Sequence, residues 1–302
     1  MRRLLIGSAV LVLLGGSVFV AARSNRGGAV LVRSYVRFER AWARWLPLQN
    51  AKGLIRRLDP LMTTIGVLRP VRIEVERGVS LLLDPNDDVG RTILVSRSSA
   101  WEPEVWGAIS SGLSEGSVFV DVGAYIGYDT LRASVRVGRS GKVVAFEPNP
   151  AALGVLRANI DASRATNVIV QPIACTEKAQ TLTLFDSSLG GNAGSSSLSQ
   201  ANAGSLTLSY TVDGRPIDDV VRELGLARVD VVKADVEGAE LQVVRGAAET
   251  LRRFHPRLIL EVVPRQLTNM GATIEELEAF VESLGYTSVT VVDYKNKMWT
   301  VR

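Results

Sequence analysis

One cysteine and one histidine are all that 302 residues provide of the common soft metal ligands. Cys175 alone makes neither a disulfide framework nor a zinc cluster. His255 alone leaves a Ser/His/Asp triad or a histidine-rich metal centre hard to build. Acid–base chemistry therefore falls to Asp, Glu, Lys or Tyr. No internal repeat is visible, so solenoids and propellers drop out. The chain does not lack core-forming residues. It is 46% hydrophobic and 22% charged, an ordinary globular balance that excludes disorder over most of its length. Its length accommodates one large domain with extensions, or two small ones.

The net charge of +4 is modest and unevenly spread. Twelve Arg or Lys lie between Arg23 and Arg77, against four Asp or Glu. Ahead of them, Leu4 to Ala22 is 19 residues without a charge. At about 1.5 Å per residue a helix of that length approaches the bilayer core. Two readings stand for residues 1–26. One is a cleaved signal peptide, with Arg2-Arg3, an apolar run and Val20-Ala21-Ala22 as the cleavage site. The other is a retained transmembrane anchor, which the arginines at 23, 26, 33, 37, 40 and 44 favour, with the body of the protein cytoplasmic. Residues 27–70 read as a basic amphipathic helical linker, helical from Val30 to Leu58 until Pro47 bends it. Its Trp and Tyr beside Arg suit a membrane interface, or a helix packed on a domain.

Residues 71–302 read as a single α/β domain. Val71–Glu76 and Val79–Leu83 flank Arg77-Gly78 as a hairpin. A helix is expected over Trp101–Leu113. Strands then alternate with helices: strands at Ser117–Val122, Lys142–Glu147, Val168–Ala174, Val229–Ala234 and Leu258–Val262, helices at Thr130–Val137, Pro150–Ala162, Ile217–Leu224, Ala239–Phe254 and Thr273–Leu284. Such alternation implies a parallel sheet with helices on both faces. Thr273 and Glu276 have the spacing of a capping box. Between Thr181 and Val212 the pattern changes to an inserted hairpin whose Gly/Ser/Asn-rich tip, Gly190–Gly204, reads as a lid or a plain surface loop. Thr287–Val292 and Met298–Val301 form a closing hairpin.

Chemistry concentrates at the strand ends. The first strand of the alternation runs into Asp121-Val122-Gly123-Ala124-Tyr125-Ile126-Gly127, and the second ends in Glu147. Ligands of open α/β sheets sit outside the carboxyl ends of the strands. Gly123 lets backbone approach a ligand, Gly127 opens the next helix, and Glu147 is placed to accept from ribose hydroxyls. A dinucleotide site would show G-x-G-x-x-G. Here the loop is G-x-x-x-G behind an acid. A buried acid is unwelcome beside a pyrophosphate and welcome beside the ammonium and sulfonium of S-adenosylmethionine.

These segments, with Val232-Lys233-Ala234-Asp235-Val236-Glu237-Gly238-Ala239-Glu240-Leu241 and Val244-Arg245-Gly246-Ala247, resemble the FkbM family of S-adenosylmethionine-dependent methyltransferases. The resemblance covers about Val71 to Val292, and the second block is its more specific part. Pro216–Val220, Leu258–Val262 and Trp101-Glu102 also fit. It implies a class I methyltransferase fold, Rossmann-like, with a seven-stranded sheet and an antiparallel last strand. It implies S-adenosylmethionine as donor and O-methylation of a hydroxyl on a sugar or polyketide-like small molecule. Carried over by position, Asp121, Gly123 and Gly127 hold the methionine part and Glu147 the ribose. Ala124, Tyr125, Pro148 and Ala174 complete the expected cofactor surface. Tyr125 departs from the family, which commonly has Asn there.

Methyl transfer to a hydroxyl needs in-line positioning and a base. Asp235 is the first candidate for base or orienting group, with Lys233 on the same side of its strand and Glu237 in the following loop. Glu102 and Glu261 are candidate acceptor contacts. Lys233 and Glu240 also read as a structural ion pair. Asp235, Glu237 and Glu261 have the chemistry for Mg²⁺, but a metal-free site is the expectation. His255 reads as structural and Cys175 as a small packed residue near the adenine. A nicotinamide-dependent oxidoreductase is the alternative enzyme, lacking its Tyr-x-x-x-Lys; a non-catalytic membrane-attached module is the alternative without chemistry. Nucleic acid is not an expected partner, since no Asn-Pro-Pro-Tyr motif for a flipped base is present.

Overall fold

The computed structural model describes residues 29–38, 58–64, 67–96, 101–188, 193–205 and 207–301. The apolar run Leu4–Ala22 and Pro47 lie outside them, as do residues 39–57 of the expected long helix. Among the described residues no helix is long and apolar enough to cross a membrane. The chain divides into two compact units, one running up to Val75 with Leu82–Trp101, the other comprising Glu76–Leu81 with Glu102 onward.

In the first unit, residues 29–38 are helical. Ala29, Val32 and Val36 are buried at three- and four-residue intervals, the stripe of an amphipathic helix, while Val30 and Phe38 are exposed. Tyr35 donates to Asp59 at 2.8 Å, and Arg91 reaches the same carboxylate at 2.9 Å. These groups belong to two helices with no clear sequence signal, Asp59–Thr64 and Asp88–Ser96. Strands β1 (Val71–Glu76) and β2 (Val79–Leu83) form the expected two-stranded sheet.

The second unit is built on seven strands: β3 (Val118–Val122), β4 (Lys142–Phe146), β5 (Val168–Gln171), β9 (Val231–Ala234), β10 (Arg257–Glu261), β11 (Ser288–Val291) and β12 (Asn296–Thr300). Their order is β11-β12-β10-β9-β3-β4-β5. β12 runs antiparallel to both neighbours, while β10, β9, β3, β4 and β5 are mutually parallel. The two-residue period of a strand feeds two separate cores. Val118, Val120, Val122, Val232 and Leu258 pack with helices Ile217–Glu223, Glu240–Gly246 and Ile274–Ser283. Phe119, Val143, Val231 and Ile259 pack on the other face with Val105 and Ile109 of helix Pro103–Ser111 and Ala133 and Val137 of helix Tyr128–Val137. The capping box of Thr273 and Glu276 is present.

Three expectations are corrected. The strand expected over Val168–Ala174 stops at Gln171, because Pro172 has no N–H to continue the ladder. Ala174–Cys175 (β6) instead pairs with β8 (Leu208–Arg215), which also pairs with β7 (Gln180–Asp186) in a three-stranded sheet. The stretch Gly190–Gly204 is partly ordered, with a 3₁₀ turn at Ala193–Ser195, a helical turn at Gln200–Ala203 and a bridge from Ser197 to Phe185. The helix expected over Ala239–Phe254 breaks at Ala247 into Glu240–Gly246 and Ala248–Phe254. There the Gly246 backbone lies so close to the Thr176 carbonyl that no side chain fits. Helix Pro264–Asn269 also had no assignment from sequence.

Candidate active site

Strand register places the first charged groups. Asp121 and Lys233 are direct partners between β3 and β9, in phase with Phe119 and Val231 and so on the face covered by helix Tyr128–Val137. That helix carries Asp129 and Thr130 in its first turn. Thr130 Oγ1 donates to Asp121 Oδ2 at 2.5 Å, and Lys233 Nζ lies 3.3 Å from Asp129 and 3.7 Å from Asp235. Lys233 does not pair with Glu240, whose buried carboxylate accepts from the N–H groups of Val236 and Gly238 instead. Burial pushes Asp121 up to about 6 while Lys233 opposes it. Asp121 Oδ1 is buried and meets no hydrogen-bond donor among the described residues.

The loop after β3 is shaped by close approaches. Gly123 has φ +83°, and a Cβ there would collide with the carbonyl oxygen of Asp235. Its N–H and that of Ala124 both donate to Phe146 O at 3.0 Å. Gly127 caps helix Tyr128–Val137 with φ +90°; a Cβ there would sit 2.6 Å from Leu156 Cδ1, so this glycine serves helix packing. Tyr125 N–H donates to Glu147 Oε2 at 2.7 Å and Asn149 N–H to Oε1 at 2.8 Å. Burial raises Glu147 to about 7 against those two donors. Beside Glu147 opens a cleft with apolar walls from Phe146, Ile173, Ala174 and Leu184. Gly123, Tyr125, Pro148 and Asp235 also face it, as do Cys175, which is buried, and Ser196 and Leu198 of the insertion.

Around Asp235, which lines the cleft, charged groups collect. Carboxylate oxygens of Asp235, Glu237 and Glu261 lie within 4.8 Å of one another, close enough to share a cation. A protein ammonium already occupies this neighbourhood: Lys295 Nζ, from the turn between β11 and β12, is 2.5 Å from Glu261 and 3.2 Å from Glu102. Burial, then the Asp235 charge, push the Glu261 carboxyl well above the ordinary carboxylate range, with Lys295 opposing them. Asp235 is held below the ordinary carboxylate range although burial works the other way, because Lys233 and Lys295 outweigh it. Burial, then Asp235, raise Glu237 to about 7. Burial also raises Glu102. Lys233 stays charged: burial opposes its proton, but four surrounding acids lift its pKa well above normal.

The loop holding Glu237 is clasped from the insertion and from helix Pro264–Asn269. Ser197 Oγ and Asn202 Nδ2 donate to Glu237 O at 2.9 and 2.8 Å, Asn202 also to Gln266 O at 3.0 Å, and the Gln266 amide to the Glu237 carboxylate. Tyr125, Glu237 and Glu102 hold φ of 51°, 54° and 44°. For residues with a Cβ this costs about 1–3 kcal/mol each and tends to concentrate at functional sites.

All the site residues read from sequence thus lie at the carboxyl end of the sheet. Gly123, Tyr125, Glu147, Pro148, Ala174 and Asp235 face one cleft; Lys233, Glu237 and Glu261 gather around Asp235, with Glu102 joined to Glu261 through Lys295; Ala124 and Gly127 do not line the cleft. Lys295, Asp129, Gln266 and Asn202 were missed. Asp129 had a signal, an acid two residues after Gly127. The other three sit in a hairpin turn, a short helix and the insertion, with no local motif. His255 ends a helix at φ 45° with its ring edge-on to Tyr286.

A family model described as the methyltransferase FkbM domain matches residues 121–288. The methyltransferase sdnD of Sordaria araneosa is 28% identical over 205 residues, 58% of this chain and 76% of that protein. The hexuronic acid methyltransferase AglP of Haloferax volcanii is 32% identical over 138 residues, 46% of this chain and about half, 53%, of that protein. A solved methyltransferase FkbM from Methylobacillus flagellatus KT aligns over 88% of this chain and 58% of its own with a TM-score of 0.44 at 18% identity. With the family model spanning more than half of the 302 residues, this protein belongs to the FkbM family of methyltransferases.

Proposed function

We propose that this chain transfers a methyl group from S-adenosylmethionine to a hydroxyl of a small molecule or glycan. The observation that carries the reading is one cleft at the strand ends with Glu147 on one side of β3 and the Asp235 cluster on the other. The cofactor suits the residues present. Asp121 Oδ1 is a buried acceptor without a donor, which the amino group of the methionine part would supply. Glu147 would take the ribose hydroxyls, Gly123 and Tyr125 the methionine backbone, and Pro148 and Ala174 the base. A nicotinamide dinucleotide suits them less. Helix Tyr128–Val137 carries Asp129 in its first turn, where a pyrophosphate requires an unopposed N-terminus.

When bound, S-adenosylmethionine supplies a methyl group on a positively charged sulfur. The chain's own groups do the rest. Asp235, kept ionised by two lysines, orients the acceptor hydroxyl. Glu237, near 7, has the proton affinity a base needs at neutral pH. Lys233 fixes Asp235 and takes no proton itself. Titration calorimetry with S-adenosylmethionine, S-adenosylhomocysteine and NAD⁺, beside Glu147→Ala, tests this. Binding of the first two, lost in the variant, supports it; binding of NAD⁺ alone turns the reading to an oxidoreductase, and binding of none to a non-catalytic module.

We also propose that Leu4–Ala22 anchors the protein in a membrane with the methyltransferase unit on the cytoplasmic side, where the donor is made. The arginines that follow the apolar run support this orientation. Reporters fused to each terminus would read it, and an exported C-terminus would overturn it in favour of signal cleavage.

A further inference from the structure

We infer that the Tyr125 ring makes the cleft prefer the methylated donor to its demethylated product, by lying against the positively charged sulfur; this rests on the methyltransferase reading above. The sheet places this side chain. β3 lies between β4 and β9, so the loop that follows β3 runs between the ends of those two strands. At one end the Gly123 backbone lies against the Asp235 carbonyl, and at the other Tyr125 N–H donates to Glu147 Oε2 at 2.7 Å. Tyr125 is half-buried and lines the cleft together with both acids. In the donor, the sulfur is the atom that joins the ribose to the methionine chain. With the ribose on Glu147 and the amino group on Asp121 of β3, that atom falls over this loop. Of residues 123–127, only Gly123 and Tyr125 line the cleft, and glycine has no side chain. The Tyr125 ring is therefore the part of the loop able to meet the sulfur.

The backbone supplies a second observation. Tyr125 holds φ 51° between glycines at +83° and +90°. Asn tolerates left-handed backbone, whereas a bulky side chain there is an outlier. Holding Glu147 takes only the N–H of this position, which Asn would provide equally. A ring kept against that strain points to work done by the ring itself. An aromatic face attracts a cation within about 6 Å, and more strongly where water is excluded. The sulfur of the donor is a cation and that of the product is a neutral thioether, while the two molecules share every other contact of the adenosine and amino-acid parts. The ring face thus acts on the one difference between them. It holds the donor and lets the spent product go.

The test is calorimetric titration of the full-length protein with S-adenosylmethionine and, separately, with S-adenosylhomocysteine. The readout is the ratio of the two dissociation constants, in which damage to contacts that both ligands share cancels. Tyr125→Asn removes the ring and keeps a residue that accepts the left-handed backbone; preference for the charged ligand should fall about fivefold. Tyr125→Phe should keep the preference within about twofold, since the face remains. Phenylalanines of increasing ring fluorination installed at position 125 keep the shape and drain the face. The preference should fall in step along that series, which decides the matter where Tyr125→Asn binds neither ligand. An unchanged ratio in Tyr125→Asn or along the fluorinated series overturns the inference. So does a fall in Tyr125→Phe equal to that in Tyr125→Asn, which would assign the effect to the hydroxyl. Wild-type protein that binds neither ligand removes the methyltransferase reading itself, and this inference with it.

Discussion

The two halves of the cleft are made of different materials. On the β3–β4 side the working groups are backbone. Two N–H groups hold Glu147, and the Gly123 backbone lies against the Asp235 carbonyl. On the β9–β10–β12 side they are charged side chains, with two lysines threaded among five acids and a clasp of amides around Glu237. A backbone cradle fixes shape and tolerates little change. A charge network sets protonation and can be altered one group at a time. Damage to the first half should therefore abolish donor binding, whereas damage to the second should spare binding and slow turnover.

The largest expected effect is from Gly123→Ala. The methyl group meets a backbone oxygen at a positive φ, so roughly 3 kcal/mol or more of stability and all measurable S-adenosylhomocysteine binding should go, by thermal denaturation and calorimetry. An unchanged melting profile would remove the cradle from the comparison. Next is Glu147→Gln, which keeps one acceptor oxygen for its two N–H partners. Its affinity for S-adenosylhomocysteine should fall about tenfold, or about 1.4 kcal/mol, with little change in the turnover of bound donor.

Lys295→Met reverses that pattern. Donor binding should stay within about twofold while kcat falls on the order of tenfold, because Glu261 and Glu102 lose their shared cation. A loss of donor affinity equal to the loss of kcat would erase the division between the halves.

A pH effect from Glu240 lies outside both halves. Its carboxyl ionises near 4.5 when free and near 8 in the fold, raised by burial. The folded chain thus holds a proton that the unfolded chain has released above pH 4.5. The stability this gives is complete below pH 4.5 and is lost as pH rises through 8. Thermal midpoints should fall between pH 5 and 8.5, and Glu240→Gln should flatten that fall. An identical slope in the variant would assign the trend to other acids. Asn202→Ala should cost least, about 1 kcal/mol, read in urea, with a faster release of S-adenosylhomocysteine as the clasp loosens.

The same division explains what could be read from the chain in advance. The β3–β4 half is local: Asp121 to Gly127 and Glu147 to Asn149 sit next to the strands that place them, so spacing alone was informative. Lys233, Asp235 and Glu237 share one strand end and were equally visible. Lys295 was not, because its partners Glu261 and Glu102 come from β10 and from the residue before helix Pro103–Ser111, joined only through the antiparallel turn of β12. Asn202 and Gln266 meet Glu237 across 35 and 29 residues of chain. Pro172 should have ended its strand on its own chemistry, and the run of apolar residues around it masked that.

The left-handed backbone at Glu102, Tyr125 and Glu237 also bears on how this enzyme can be improved. Glycine at any of the three would relieve local conformational energy, and selection for heat resistance alone would favour it. Each such gain would delete a side chain from the candidate site. Thermostability and turnover should therefore trade against each other at these three positions, and gains in robustness are better sought in the strand cores or among the exposed residues of β11.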